Sequence, residues 1–206
     1  MPEPGLPPLI EKDLDPNPIT QLHRWFEQAR AANVLQLDAM ALATATKDGK
    51  PSVRMVLLKS FDSEGFVFYT NYDSRKGKEL ALNPAAALVF HWPEVERQVR
   101  IEGLVEKVSP EESDAYFETR PRESQIGPHV SAQSEPVGSR GKLERRFEEL
   151  QKQYEGRPIP RPSYWGGYRL KPTQIEFFQS RFARLNDRIL YERQQDGTWS
   201  MKRLAP

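Results

Sequence analysis

The sequence predicts a mainly β protein with α-helices, a small antiparallel barrel with helices packed around it. Three observations carry this. Runs rich in β-branched and aromatic residues recur between residues 40 and 108 and again from 164 to 206, punctuated by turns such as "KDGK" and "DSEG". Three stretches with helical spacing of apolar residues flank those runs. No long Gly/Ser linker divides the 206 residues, so a flexible N-terminal arm (1–16) followed by a single domain (17–206) is expected.

Asn17 followed by Pro18 reads as a helix cap with proline at the first helical position. Ile19, Leu22, Trp25, Phe26 and Ala29 then recur at helical spacing, with an end near Asn33. "MALATAT" (40–46) is a strand, and beyond the Asp-Gly turn "PSVRMVLLKSF" (51–61) is the next. In a regular strand Arg54, Val56 and Leu58 share one face, and Met55, Leu57 and Lys59 share the other. Two cations therefore stand at opposite ends of an apolar run. "FVFYTN" (66–71) follows, then a short helix in "SRKGKELALN" (74–83), then strands in "AAALVFHW" (85–92) and "RQVRIEGLVEKV" (97–108). About five strands in a meander are enough to curl into a barrel.

"SPEESDAYFETR" (109–120) opens with Ser109, Pro110 and two glutamates, good chemistry for a helix start. In "SRGKLERRFEELQKQYEG" (139–156) Leu143, Phe147, Leu150 and Tyr154 form one stripe, and the charges form a solvated face. Four strands close the chain: "YWGGYRLKP" (164–172), "TQIEFFQS" (173–180), "DRILYERQ" (187–194) and "TWSMKRLAP" (198–206).

Hydrophobic residues make up 37% and charged residues 29%, and the net charge is +1. Bulk charge thus points to neither nucleic acid nor membrane as a partner. The absence of cysteine excludes disulfides, thiol catalysis and cysteine metal sites, and it fits a reducing, cytoplasmic setting. No apolar run reaches the length of a membrane span, and the first residues are not expected to be a signal peptide. His23, His91 and His129 lack metal-ligand spacing, so no metal is expected. There is no nucleophile elbow, GxGxxG or P-loop.

Basic residues matter locally instead. Arg75 and Lys76 follow Ser74 at a helix start, against the helix dipole. They are either two solvated side chains or, with the helix amides, an anion cradle. In "YFETRPRESQIG" (116–127) Tyr116 and Arg120 share a helix face and Ser124 returns beside them, a set that suits a phosphate. The plain alternative is a helix end with surface arginines. In "RFARLNDRILYER" (181–193) alternation places Arg184, Asn186 and Arg188 on one face, either toward an anionic or aromatic group or as a charge-protected edge. Four separated segments each set cations beside a small polar group, which two phosphorylated ligands would use.

Taken in order, "RMVLLK" (54–59), "FYTN" (68–71), "SRK" (74–76), "ERQVR" (96–100), "YFETRPRESQIG", "QS" (133–134), "WGGYR" (165–169), "RLNDR" (184–188) and "RLAP" (203–206) carry a resemblance to a known family. From about Asp13 to Pro206 the chain resembles the pyridoxine/pyridoxamine 5'-phosphate oxidases. The resemblance implies an FMN-binding split β-barrel and a homodimer with FMN at the subunit interface. It implies FMN contacts from Arg54, Met55, Val56, Leu57, Leu58, Lys59, Tyr69, Thr70, Arg75, Lys76, Gln98, Gln133, Ser134, Phe178 and Arg188. Lys59, Tyr116, Arg120 and Ser124 would meet the phosphate of a small phosphorylated pyridine substrate. Arg184 and Asn186 would lie over its ring as the catalytic pair. The implied reaction moves a hydride from C4' to flavin N5, with O2 reoxidising the flavin to give H2O2.

Three departures fall on the expected active-site wall. Asn186 stands where the family usually has histidine, and it cannot titrate near neutral pH. Phe178 and Ser180 replace a Trp and a Gly, and Phe182 is bulky for its place. The first residues read "MPEPGLPP" in place of an Arg-x-x-Tyr element. The alternatives are a related split-barrel flavin enzyme with altered specificity, or a non-catalytic protein that binds FMN or pyridoxal phosphate.

Overall fold

In the computed structural model, which describes residues 6–206, local chemistry sets the helix starts. Asn17 caps α1 (Pro18–Ala31), its side chain accepting from the Ile19 N–H at 2.9 Å. The serines before α2 (Arg75–Leu82), α3 (Pro110–Glu118) and α5 (Arg140–Gln153) do the same for Gly77, Glu112 and Lys142. Pro121 precedes α4 (Arg122–Val130). Among the described residues no helix is long and apolar enough to cross a membrane.

The strands are β1 (Ala39–Ala45), β2 (Pro51–Leu57), β3 (Ser60–Asp62), β4 (Gly65–Asn71), β5 (Ala85–Trp92), β6 (Arg97–Lys107), β7 (Trp165–Gln179), β8 (Asp187–Arg193) and β9 (Trp199–Arg203). They form one antiparallel sheet in the order β2-β1-β5-β6-β7-β4-β3, with β8 on β7 and β9 on β8. The fold is mainly β, a curled split barrel with helices around it. Its core contains Leu22, Trp25 and Phe26 of α1 against Phe90, Trp92 and Phe177 of the sheet. Trp25 meets Phe177 edge-on at 4.9 Å between ring centroids.

Three expectations need correction. The central strands are not a meander, because β4 leaves its sequence neighbours and pairs with β7. The stretch 51–61 is two strands, broken after Leu57. Buried Leu58 turns into the core, and Lys59 lies in the break rather than on a regular strand face. Conversely, 165–179 is one strand. Pro172 cannot donate to a ladder, but it sits opposite Gly103 where a bulge interrupts the β6–β7 register. This one long strand pairs with β4 at its start and β8 at its end.

A second apolar cluster, Phe117, Ile126, Leu150, Ile159 and Trp165, joins α3, α4 and α5 to the root of β7. Of the expected arm, residues 11–13 form a 3-10 turn and Leu9 packs into the main core, while residues 1–5 lie outside the described structure.

Candidate active site

The end of β4 presents Tyr69, Thr70 and Asn71 to a cleft, and α2 brings Lys76 to the same place. The approach is close, since a Cβ at Gly77 would stand 2.0 Å from the Tyr72 carbonyl oxygen. Lys76 is 7% exposed, yet among the described residues its ammonium meets only neutral acceptors. These are Thr70 Oγ1 at 2.9 Å, Gln133 Oε1 at 3.2 Å and Ser74 Oγ at 3.4 Å. Burial, and secondarily the charge of Arg54, bring its pKa down from 10.5 to about 8. A buried cation with hydrogen bonds but no counterion is suited to an anionic ligand.

The opposite wall is aromatic. Tyr69 stacks on Tyr116 with centroids 3.8 Å apart, and on Trp165 at 5.5 Å. Gly167 admits this stack, since a Cβ there would come within 2.9 Å of the Tyr69 ring. Burial raises the pKa of Tyr69 to about 12 and raises that of Tyr116, so both phenols are neutral donors at physiological pH. Arg120 lies past the end of α3, so it does not share a helix face with Tyr116 as spacing suggested. A turn brings it back instead. Its N–H donates to the Phe117 carbonyl at 3.2 Å, and Gln125 Nε2 donates to the Arg120 carbonyl at 3.0 Å. The guanidinium lies 4.6 Å over the Trp165 ring, with Nη1 buried and without a hydrogen-bond partner among the described residues.

Together these residues line a cleft of about 690 Å³ with Met55, Val56, Leu57, Lys59, Ser124 and Gln133. Lys59, whose Nζ is 3.5 Å from Asp38, Lys76 and Arg120 supply three cations, and no carboxylate is among the lining residues described. The volume lies in the range of small-molecule sites, about 300–1,000 Å³.

Other expected contacts lie outside this cleft. Leu58 is core, and Ser134 adopts φ +73° in the adjoining loop. The Arg54 guanidinium bonds Thr44, Ser52 and the Leu42 carbonyl, and it stands 3.4 Å from Glu79. Arg75 reaches the same carboxylate at 2.9 Å. Burial opposes ionisation of Glu79. Hydrogen bonds from Ser52, Thr44 and Arg75, with the Arg75 charge, outweigh it and take the pKa from 4.5 to about 2. A lowered carboxylate pKa stabilises the fold above about pH 4.5, and this is lost as pH falls toward 2. Glu79→Gln is therefore expected to cost about 3 kcal/mol at pH 7, by uncoupling two arginines. Urea unfolding should show the gap between variant and parent narrowing from pH 5 to pH 3.

A second cluster sits at the far end of β7. Gln98, Phe178 and Arg188 are register neighbours across β6, β7 and β8, so they share one face. A smaller cleft of about 290 Å³ includes Gln98, Phe178 and Ser180. Arg188 is paired with Glu176 at 2.7 Å. Arg184 and Asn186 do not continue that face, which corrects the expected alternation. β8 begins only at Asp187, and Ala183 and Arg184 are left-handed, with φ of +55° and +61°. The Asn186 carboxamide oxygen accepts from the Arg181 N–H at 2.9 Å. Phe182 and Leu185 in this loop are 90% and 71% exposed. Tyr69 pairs with Gly167 near the start of β7, whereas Phe178 lies eleven residues on, roughly 36 Å away at strand rise. One copy of the chain keeps the two clusters apart.

Sequence reasoning missed Trp165, Gln125 and Glu79. Trp165 stood within the quoted "WGGYR" without a role. The i,i+4 spacing of Arg75 and Glu79 was a usable signal for the ion pair.

A family model described as "Pyridoxamine 5'-phosphate oxidase" matches residues 26–154. A second, "Pyridoxine 5'-phosphate oxidase C-terminal dimerisation region", matches residues 165–206. A Rubrobacter xylanophilus protein named pyridoxine/pyridoxamine 5'-phosphate oxidase is 58% identical, over 96% of this chain and 91% of its own. A Nostoc punctiforme protein of the same name is 59% identical, over 96% and 92%. Among solved structures, PhzG from Burkholderia lata, in complex with tetrahydrophenazine-1-carboxylic acid, superposes with a TM-score of 0.90. It is 34% identical, over 96% of this chain and 98% of its own. An FMN-binding protein from Nostoc punctiforme shares the fold at a TM-score of 0.74 and 18% identity, over 94% and 100%.

Proposed function

The chain belongs to the pyridoxamine 5'-phosphate oxidase family, and from that premise we propose that it is an FMN-dependent oxidase. Its substrates are pyridoxine 5'-phosphate or pyridoxamine 5'-phosphate, and its product is pyridoxal 5'-phosphate. The observation that carries this reading is the cleft whose described lining has three cations and no carboxylate, and in which, among the described residues, Lys76 is buried without a counterion and Arg120 keeps a buried, unpartnered Nη1. Two phosphorylated ligands fit that donor set.

Lys76, with Thr70, Gln133 and Ser134, holds the FMN phosphate, and Arg75 and Arg54 add positive charge behind it. Met55, Val56, Leu57 and Tyr69 form the wall around the cofactor, with Leu58 in the core behind them. Lys59, Tyr116, Arg120 and Ser124 hold the substrate phosphate. When bound, FMN supplies a hydride acceptor at N5 and passes electrons to O2, giving H2O2. The chain's own residues orient the substrate and exclude water, and no strong base is required of them.

Gln98, Phe178, Arg184, Asn186 and Arg188 complete the site across a homodimer. In this arrangement the 181–186 loop of one copy enters the cleft of the other. Exposed Phe182 and Leu185, and the outward Val53, Met55 and Leu57 of β2, supply apolar surface for that contact. Residues 17–206 act as one unit in the cytoplasm.

A second reading is altered specificity. Phe178 and Asn186 support it, and so does the likeness to PhzG, whose structure holds a tricyclic carboxylic acid. An anaerobic spectrum of the FMN-loaded protein separates the readings. Pyridoxine 5'-phosphate is expected to bleach the flavin band at a catalytically useful rate. A protein that stays yellow with this substrate and with pyridoxamine 5'-phosphate would send the search to unphosphorylated aromatic substrates or to a binding role.

A further inference from the structure

The loop that carries Arg184 is fastened at both ends, and the fastening includes the N-terminal segment. Arg181 is the node. Its N–H donates to Asn186 Oδ1, closing residues 181–186 into a loop. Its Nε donates to Asp187 Oδ2 at 2.8 Å, and its Nη1 to the Leu6 carbonyl. Asp187 is the second node. The same Oδ2 accepts from the Leu9 N–H at 3.1 Å, and Oδ1 accepts from Arg203 Nη1 at 2.7 Å. Arg203 also donates to the Leu9 carbonyl and to Glu11. Leu9 itself is 7% exposed in the main core, so the segment is anchored by burial as well as by polar contacts.

Inside this fastening the backbone is held against its preference. Ala183 and Arg184 are consecutive non-glycine residues in the left-handed region. Arg184 is exposed, and although its N–H donates to the Arg181 carbonyl at 3.1 Å, its side chain makes no hydrogen bond or ion pair among the described residues, so no contact of that side chain holds it there. Two fasteners can: the Asn186 staple, and the Arg181–Asp187 pair that ties the loop to residues 6–11.

We propose that Arg181 and Asp187, clamped onto the N-terminal segment 6–11, are positioning residues that set the conformation of Arg184, with Asn186 as the loop's staple. The inference rests on the oxidase reading for the role of Arg184. It also gives Asn186 a task that its carboxamide performs without titrating. Arg181 provides two directions of donation at once, one to a carboxylate and one to a backbone carbonyl, which a lysine ammonium does not reproduce in a fixed plane.

The test uses full-length, FMN-loaded protein carrying Arg181→Gln, Leu9→Ala, or both. Each single variant is expected to lower kcat/KM for pyridoxine 5'-phosphate by about ten- to a hundredfold, the scale of a misplaced substrate-orienting group. FMN affinity should stay within about twofold of the parent, because neither Arg181 nor Leu9 is among the residues assigned to the cofactor. The double variant should be no worse than the weaker-acting enzyme of the two, since both release one clamp. Hydrogen exchange should rise in residues 182–186 in all three proteins and stay unchanged in α2 and β4. Multiplying effects, or exchange at 182–186 equal to the parent, would overturn the clamp. If Arg181→Gln does not fold, Leu9→Ala carries both measurements. An unmodified protein that never bleaches would defeat the oxidase reading, while the exchange result would still decide the clamp.

Discussion

Arg120→Ala is expected to raise the KM for pyridoxine 5'-phosphate about a hundredfold while the purified protein stays yellow with bound FMN. The size follows from what the side chain does. Its Nη1 is buried without a partner, and its guanidinium lies over Trp165, so the ligand phosphate would meet a desolvated, oriented cation. Removing one side of a buried, hydrogen-bonded charge pair costs about 2–5 kcal/mol, and the middle of that range is roughly a hundredfold or more. Arg120→Lys should recover little, because an ammonium keeps the charge but loses the planar fork and the stacking on Trp165. Steady-state kinetics with flavin content measured on the same samples checks both halves. Loss of FMN with unchanged KM would mean the two phosphate sites are assigned the wrong way round.

The parts of this fold that could be read from the sequence are those decided within a few residues. Asn17, Ser74, Ser109 and Ser139 each cap a helix through a side chain acting two or three positions ahead, so spelling and structure agree. The apolar stripe of α1 was legible for the same reason, with Ile19, Leu22, Trp25, Phe26 and Ala29 all buried. What could not be read is non-local. Pro172 looks like a strand end, and it is tolerated only because Gly103, far away in sequence, places a bulge opposite it. Lys59 looks like a strand residue until Leu58 is found turned into the core. The pairing of β4 with residues 165–170 of β7 joins segments about a hundred positions apart, which no local signal announces.

The site divides along the same line. Cations beside small polar residues were visible in four segments, but composition and spacing left each one open between ligand contact and solvated surface. The resemblance of the motifs named the ligands, and the fold then separated two groups. Lys59, Lys76, Tyr116, Arg120 and Ser124 share one cleft, whereas Gln98, Phe178 and Arg188 share a row at the other end of β7. Arg54 and Arg75 looked equivalent to Lys76 in sequence. The buried Glu79 distinguishes them, since it pairs with both arginines, while the lysine ammonium meets no carboxylate among the described residues.

That difference makes Lys76→Met the sharpest test of the cofactor site, because two readouts should move in opposite directions. FMN affinity is expected to fall by about a hundredfold or more, on the same scale of about 2–5 kcal/mol for a buried charge pair. The unliganded protein, however, should be as stable as the parent or more stable. There Lys76 is a cation taken out of water with, among the described residues, only Thr70, Ser74 and Gln133 as partners, and methionine fills similar space without that penalty. The pKa of about 8 adds a sign that can be checked in the parent. Below it the lysine is charged before FMN arrives. Above it the proton must be taken up on binding, so affinity for FMN should decline as pH rises through about 8 and on toward 9. In Lys76→Met that part of the pH dependence should vanish. Fluorescence titration of FMN across this range, with thermal unfolding of the FMN-free proteins, measures both effects. A variant that loses stability and cofactor together would show that Lys76 holds the β4–α2 junction instead of the cofactor's phosphate.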